Sequence, residues 1–233
     1  MSSKQWFSAL LLVGVSLSPV AAQEKGQDQG GEKHSSLPSD FSKEAYVIEQ
    51  IVTRISAEAD GAGMREVSAQ VKILADAGVK QFAVLDFTYT SANEAVEIDY
   101  VRVRKPDGSV VKTPDYNIQD MPGEVTRTAP LYSDIHEKHV AVKGLGVGDV
   151  LEYLVRYRII KPEVPGHFWH EYSFAKNAIS KDERLEISVP ATKYVKVVSP
   201  EFKPDVKEEE GRRIYRWTHS NLKYEDDKKK KKK

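Results

Sequence analysis

Hydrophobic and polar residues alternate along much of the chain with a period of two. In "REVSAQVKILA" (Arg65–Ala75), Val67, Ala69, Val71 and Ile73 fall on one side, and Glu66, Ser68, Gln70 and Lys72 on the other. Val150–Ile159 repeats the pattern: Leu151, Tyr153, Val155, Tyr157 and Ile159 share one face, and Glu152, Leu154, Arg156 and Arg158 the other. Side chains of a pleated strand point alternately to opposite faces, so both stretches are predicted strands of sheets with one wet face. Further strands are predicted at Ala45–Glu58, Phe82–Thr90, Ala95–Arg104, Ser109–Thr113, Leu185–Pro190, Val195–Val198 and Arg213–His219.

Turn chemistry joins these segments. "KPDG" (Lys105–Gly108) has Pro and Asp at the centre of a type I turn and Gly where positive φ is useful, which predicts a hairpin. "ADGAG" (Ala59–Gly63) connects the first two long strands in the same way. Only "ADAGVKQ" (Ala75–Gln81) predicts a helical turn. Many short strands spaced by Gly and Pro predict an all-β fold, an antiparallel β-sandwich of the immunoglobulin-like class over residues 44–226.

The ends of the 233-residue chain have a different composition. Lys4 precedes the apolar run Trp6–Val20, which is shorter than the roughly 20 residues needed to span a bilayer. Val20 and Ala22 then occupy the −3 and −1 positions of a signal-peptidase site. Residues 1–22 are therefore predicted to be an export signal cleaved after Ala22, which makes the mature chain periplasmic or extracellular, with no transmembrane span. Residues 23–43, rich in Gly, Ser, Gln and charge, have too little apolar surface to offset their ordering entropy and are predicted to be a flexible linker. Residues 227–233 are a charged tail or the start of another linker. Its clustered lysines could favour an anionic membrane by about 1 kcal/mol each, but Glu225–Asp227 oppose this and a linker is the expected role.

Composition excludes several kinds of chemistry. The chain has no Cys, hence no thiol nucleophile, Cys-ligated zinc site or disulfide. Lys and Arg formally balance Asp and Glu at 35 each. Without Lys4 and Lys228–Lys233, however, 28 basic side chains face 35 acidic ones, a net charge of −7. Nucleic-acid binding requires a clustered basic surface, and none stands out in the body of the chain.

Candidate chemistry centres on histidines. His136 and His139 lie three apart, as do His167 and His170. On a strand this spacing sends the two rings of each pair to opposite faces, whereas zinc needs three or four converging ligands. A metal-dependent hydrolase using all four is the alternative reading, valid only if folding brings the pairs together. Ser133, Asp134 and His136 lack a nucleophile elbow. "GLGVG" (Gly144–Gly148) precedes a strand and not the helix N-terminus that a phosphate loop requires. The acidic runs Glu208–Glu210 and Glu225–Asp227 read as solvated charge in polar turns or the tail. No cofactor, metal or catalytic residue is predicted. The aromatic stretch "PGHFWHEYSF" (Pro165–Phe174) supplies the candidate interaction surface, Phe168, Trp169 and Tyr172, with burial in the core as its competing role.

The order of these elements carries a resemblance. "VKIL" and "AGVKQFA" (within Val71–Ala83), "VRVRKPDGSVVKTP" (Val101–Pro114), "IQD" (Ile118–Asp120), the run Leu131–Arg158, "PGHFWHEYSF" and "RLEISVP" (Arg184–Pro190) follow one another. Together they resemble the bacterial domain of unknown function 3857 family over about Ala45–Tyr224. The resemblance implies a β-sandwich in exported proteins, commonly just ahead of a transglutaminase-like domain. That enzyme type is papain-like and built on Cys, His and Asp, so its activity does not carry over to a Cys-free chain. The resemblance transfers no catalytic residue. The export signal, the strand-rich body and the lack of a convergent catalytic set predict a non-catalytic accessory or binding module, whose expected partner is a transglutaminase-like domain or an envelope protein or peptide.

Overall fold

The computed structural model describes residues 41–131 and 133–223. The predicted export signal (1–22), the predicted tail (227–233) and all but the last three residues of the predicted linker (23–43) lie outside the described residues. Among the described residues eleven strands form: β1 Tyr46–Ala57, β2 Gly63–Ile73, β3 Val84–Thr90, β4 Glu94–Arg104, β5 Val110–Lys112, β6 Ile118–Pro122, β7 Ile135–Ala141, β8 Val150–Ile159, β9 Ser180–Pro190, β10 Asp205–Glu209 and β11 Arg212–Asn221. Two short helices interrupt them, α1 Asp76–Gln81 and α2 Glu124–Thr128. The fold is thus mostly β, as the alternation predicts.

The strands divide unequally between two sheets. The larger has eight strands in the order β10-β11-β9-β1-β2-β8-β4-β5, and the smaller has three, β3-β7-β6. Register fixes the two faces of the large sheet. Thr53 lies opposite both Val67 and Leu185, Val67 opposite Val155, Val155 opposite Ile98, and Leu185 opposite Trp217. This row and its parallels form the inner face. The small sheet covers part of that face, where Val71, Ile73, Val101, Val103, Leu151 and Val155 pack with Leu85, Phe87 and Val140. A second cluster, including Ile55, Leu185, Val189, Tyr215, Trp217 and Phe174, lies under segments that belong to neither sheet.

The outer face has a different organisation. Asp205 of β10 lies opposite Arg216, Arg216 opposite Glu186, Glu186 opposite Arg54, Arg54 opposite Glu66, Glu66 opposite Arg156, and Arg156 opposite Glu97. The row crosses seven adjacent strands and its charge changes sign at every step. Arg216 meets Glu186 at 2.7 Å, Glu66 accepts from Arg54 and from Arg156 at 3.1 Å each, and Arg156 also reaches Asp99 at 2.5 Å. Opposite charges directly across a ladder stabilise it and like charges destabilise it.

The structure departs from the sequence reading in several places. The sandwich is not wholly antiparallel: β1 and β9 run parallel, with Thr53 opposite Leu185. Parallel neighbours need a long crossover, and here the entire β2–β8 excursion serves as one. Val195–Val198 is not a strand, because no neighbour pairs with it. Glu208 and Glu209 lie on edge strand β10 and not in a turn, while Glu210, at φ 51°, forms the turn with Gly211. Strands β6 and β7 were not among the predicted segments. The "KPDG" hairpin forms as predicted, with the Ser109 backbone N–H donating to Asp107 Oδ1 at 2.9 Å.

Reversing one charge tests the outer row. Glu66→Lys places a third cation between Arg54 and Arg156. Partial exposure limits such pairs to under about 1 kcal/mol each, so the expected loss is about 1–2 kcal/mol in urea titrations at low salt. Screening at 0.5 M NaCl should shrink that loss by half or more, and Glu66→Gln should cost less than the reversal at either salt.

Candidate interaction surface

The connection between β8 and β9 supplies the cover that the small sheet does not. Lys193 Nζ donates to the carbonyls of Gly166 at 2.6 Å and Ala59 at 2.8 Å, which ties the segment to the β1–β2 turn. At its other end, Asn221 Nδ2 donates to the Lys176 carbonyl at 3.0 Å. The segment therefore runs the length of β9, across the inner face. Gly61, at φ 91°, belongs to the same junction: a Cβ there would stand 2.6 Å from the His167 carbonyl oxygen.

Between those anchors the chain is extended and alternates strictly. Phe168, His170, Tyr172 and Phe174 turn inward, while His167, Trp169, Glu171 and Ser173 are exposed. The inward residues pack well. Phe174 meets Tyr172, Phe202 and His219 edge-on or tilted at 5.1–5.3 Å between ring centroids. Phe202 comes from the Val195–Phe202 connection, whose Ser199 hydroxyl and Phe202 carbonyl accept from Trp217 Nε1 at 3.1 and 3.3 Å.

A buried polar group locks the middle of the segment. Glu183 of β9 is only 3 % exposed. Its carboxylate accepts from the Tyr172 hydroxyl at 2.8 Å and the Ala175 N–H at 3.0 Å. A buried charge needs such partners, because leaving it unpaired costs several kcal/mol. Burial pushes the Tyr172 phenol well above its ordinary range, and the neighbouring Glu183 charge adds to this. Tyr172 therefore stays a neutral donor at every physiological pH.

The three proposed contact residues thus separate. Trp169 is 60 % exposed, whereas Phe168 and Tyr172 pack on the second cluster. The alternation was legible in "HFWHEYSF"; the missing neighbour strand was not.

The histidines also part. On β7, His136 faces inward and its Nδ1 lies 3.3 Å from Asp120, which also accepts from the Tyr89 hydroxyl at 2.8 Å and pairs with Lys138 at 3.3 Å. Burial opposes ionisation of Asp120, but the hydrogen bonds from Tyr89, His136 and Lys138 outweigh it and hold its carboxyl below the usual value. Burial and the Asp120 bond push Tyr89 up to about 12. His139 points the other way, its Nδ1 2.5 Å from Asp86 and its Nε2 3.2 Å from Glu137. His167 is exposed and lies 3.0 Å from the Pro165 carbonyl. Among the described residues, no three His, Asp or Glu side chains stand where they could share a metal ion. Ser133 lies 2.9 Å from Thr126 Oγ1, while Asp134 accepts from the Ala92 N–H at 2.9 Å, so the two are turned to different partners. The glycines of "GLGVG" form a turn in which the Gly146 N–H donates to Asp149 at 2.7 Å. A cavity of about 140 Å³ between β4 and β6, lined by Ile98, Val101, Lys112, Ile118 and Val140, is smaller than a typical small-molecule site of roughly 300 Å³ or more.

His170 is the unsatisfied polar member of the covering segment. Its Nε2 is buried with no hydrogen-bond partner among the described residues. Arg65 shares the inner face, its guanidinium 3.8 Å over the Tyr157 ring. Burial first, and the Arg65 charge second, lower the His170 pKa to about 4.

These features define a two-layer β-sandwich whose second layer is part sheet and part unpaired extended chain. The chain belongs to the DUF3857 family, a domain of unknown function with solved structures, whose model matches residues 59–225. Its fold is similar to that of a candidate protease from Parabacteroides distasonis, with a TM-score of 0.68 at 19 % identity over 78 % of this chain. The match spans 37 % of the Parabacteroides chain. A zinc metallopeptidase of the M1 class from Deinococcus radiodurans aligns over 75 % of this chain and 39 % of its own, at 9 % identity and a TM-score of 0.37, too low to support any argument. No curated protein matches the sequence significantly. Among the described residues no helix is long and apolar enough to cross a membrane.

The His170 environment predicts a pH dependence. The unfolded chain takes up this proton near pH 6.5 and the folded chain only near pH 4. The stability it preserves is complete above pH 6.5 and is lost as pH falls towards 4. Between pH 7 and pH 5 the expected loss is about 2 kcal/mol, measurable by urea unfolding. His170→Gln should remove most of that slope. The contribution of Asp120, by contrast, is lost only below its ordinary range near pH 4.

Proposed function

We propose that this chain is a non-catalytic module, exported to the cell envelope, that binds a protein or peptide partner. The observation that carries this reading is Trp169, an exposed indole on a backbone fixed from both sides by buried neighbours. A pre-positioned aromatic ring loses little entropy on contact and concentrates binding energy. The scattered arrangement of the ionisable groups supports the same reading. Asp120, Asp86, Glu183 and Glu152 each hold their own partners on separate surfaces, with Glu152 paired to Arg102 at 2.7 Å and Arg104 at 2.8 Å. Export rests on the apolar run and Val20–Ala22. A transglutaminase-like enzyme, whether fused or separate, is the partner class that the family resemblance favours.

The test is recovery from envelope extract on immobilised full chain, wild type against Trp169→Ala. The variant should unfold within about 0.5 kcal/mol of wild type, as exposed substitutions do, and retain at least fivefold less of the partner. Equal recovery of the same partner would remove the aromatic anchor. N-terminal sequencing of the chain recovered from the envelope should begin at Gln23; recovery in the cytoplasm alone, with Met1 still attached, would remove the export assignment.

A further inference from the structure

From Phe168 to Phe174, no backbone N–H or C=O forms a hydrogen bond among the described residues. The flanking residues do: the His167 N–H donates to the Val164 carbonyl at 3.0 Å, and the Ala175 N–H to Glu183. Seven consecutive residues thus lie extended, fastened to the core by alternate side chains, with their donors and acceptors directed sideways within the layer. A folded protein pairs nearly all such groups unless water or a partner reaches them.

What borders this edge matters. Arg65 and Val67 of β2 lie at the centre of an eight-stranded sheet, yet both inner-face residues are partly exposed, while Ala69, Leu151 and Val155 beside them are buried. On one side Phe87 of β3 meets the Tyr153 ring at 5.7 Å between centroids; on the other the Tyr172 hydroxyl donates to Glu183 of β9 at 2.8 Å. β3 is itself an edge strand of the small sheet. Two open edges therefore flank one incompletely covered strip of the inner face.

We infer that Phe168–Phe174 is a docking edge for an extended peptide of another polypeptide, which adds as a β-strand over the strip between this segment and β3. This deepens the binding-module reading and rests on it. A row of donors and acceptors at strand spacing is complementary along its whole length to a peptide backbone. The strip asks for apolar side chains at alternate positions, and exposed Glu171, the charged residue of the seven that faces outward, asks for a lysine or arginine opposite. Trp169 and Ser173 flank Glu171 on the same outward side, where they would contact the partner's other face.

The test follows the backbone amides directly. The probe is an acetylated heptapeptide amide of alternating threonine and valine with lysine at both ends, added in millimolar excess to the isotope-labelled full chain. Free, the amides of Phe168–Phe174 should exchange within tenfold of unstructured rates; with the peptide they should slow at least tenfold further, while β9 and β11 amides are unchanged. The same peptide N-methylated at alternate residues, and the exposed-site variant Ser173→Pro, should each give less than threefold slowing, with Ser173→Ala behaving as wild type. Amides already protected in the free chain, absence of slowing with the parent peptide, or equal slowing with the N-methylated peptide would overturn the inference. Trp169→Ala separates the two proposals: loss of the extract partner with intact amide protection leaves both standing, whereas failure of protection beside a Trp169-dependent partner removes strand addition alone.

Discussion

Eight hydrogen-bonded strands present more apolar inner face than three strands can cover. The remainder of the architecture answers that mismatch. The small sheet closes over β2, β8 and β4, and the chain must find other material for β1, β9 and β11. It uses the two longest connections, those around Phe168–Phe174 and Val195–Phe202, laid down as extended chain without strand partners. Buried side chains, many of them aromatic, and a few side-chain hydrogen bonds hold them in place of strand pairing. Such a cover can be well packed and still leave its backbone open, because the forces that fix it are perpendicular to the direction in which its hydrogen-bonding groups point.

The polar groups beneath this cover make it specific. Apolar contacts would let an extended segment slide by two residues and keep its inward pattern. Glu183 prevents this: its buried carboxylate is satisfied only when Tyr172 and the Ala175 N–H stand where they do. A slip would leave that charge unpaired, at a cost greater than any gain in contact area. His170 acts in the opposite sense, since its buried nitrogen gains nothing from the fold and becomes a liability once protonated. One element therefore carries both a lock and a weak point.

How much of this could be read from the sequence depends on whether the cause was local. The two clearest alternations, in β2 and β8, mark amphipathic central strands, and turn residues marked the β4–β5 and β1–β2 connections. β7 was obscured because "IHEKHVA" places charge on both faces, with His136 and Lys138 inward at the rim of the small sheet. β10 was obscured because all five of its residues are exposed, as suits a charged edge. Val195–Val198 has strand composition and no partner, and partnership is not written in any local stretch. The divergence of His136 from His139 followed from spacing alone, since three residues along a strand reverse the face. Glu183 gave no local signal as the anchor of Tyr172, because their contact depends on how the β8–β9 connection folds back over β9.

The outer face shows the converse arrangement. There the backbone is fully paired and the side chains alternate in sign across seven strands, from Asp205 to Glu97. Each arginine in the interior of that row lies between two acids, so a second apolar sheet laid upon it would have to desolvate a continuous line of charge. That face is therefore closed to stacking, just as the charged edge β10 is closed to pairing. Both of the ordinary routes by which sheets associate are blocked on this half of the molecule. The inner layer, with an exposed indole and an unpaired backbone side by side, is where the same chain leaves association open. Conformational specificity and the unpaired backbone thus have one origin: a sheet wide enough to need a cover, and a cover that supplies side chains without supplying a strand.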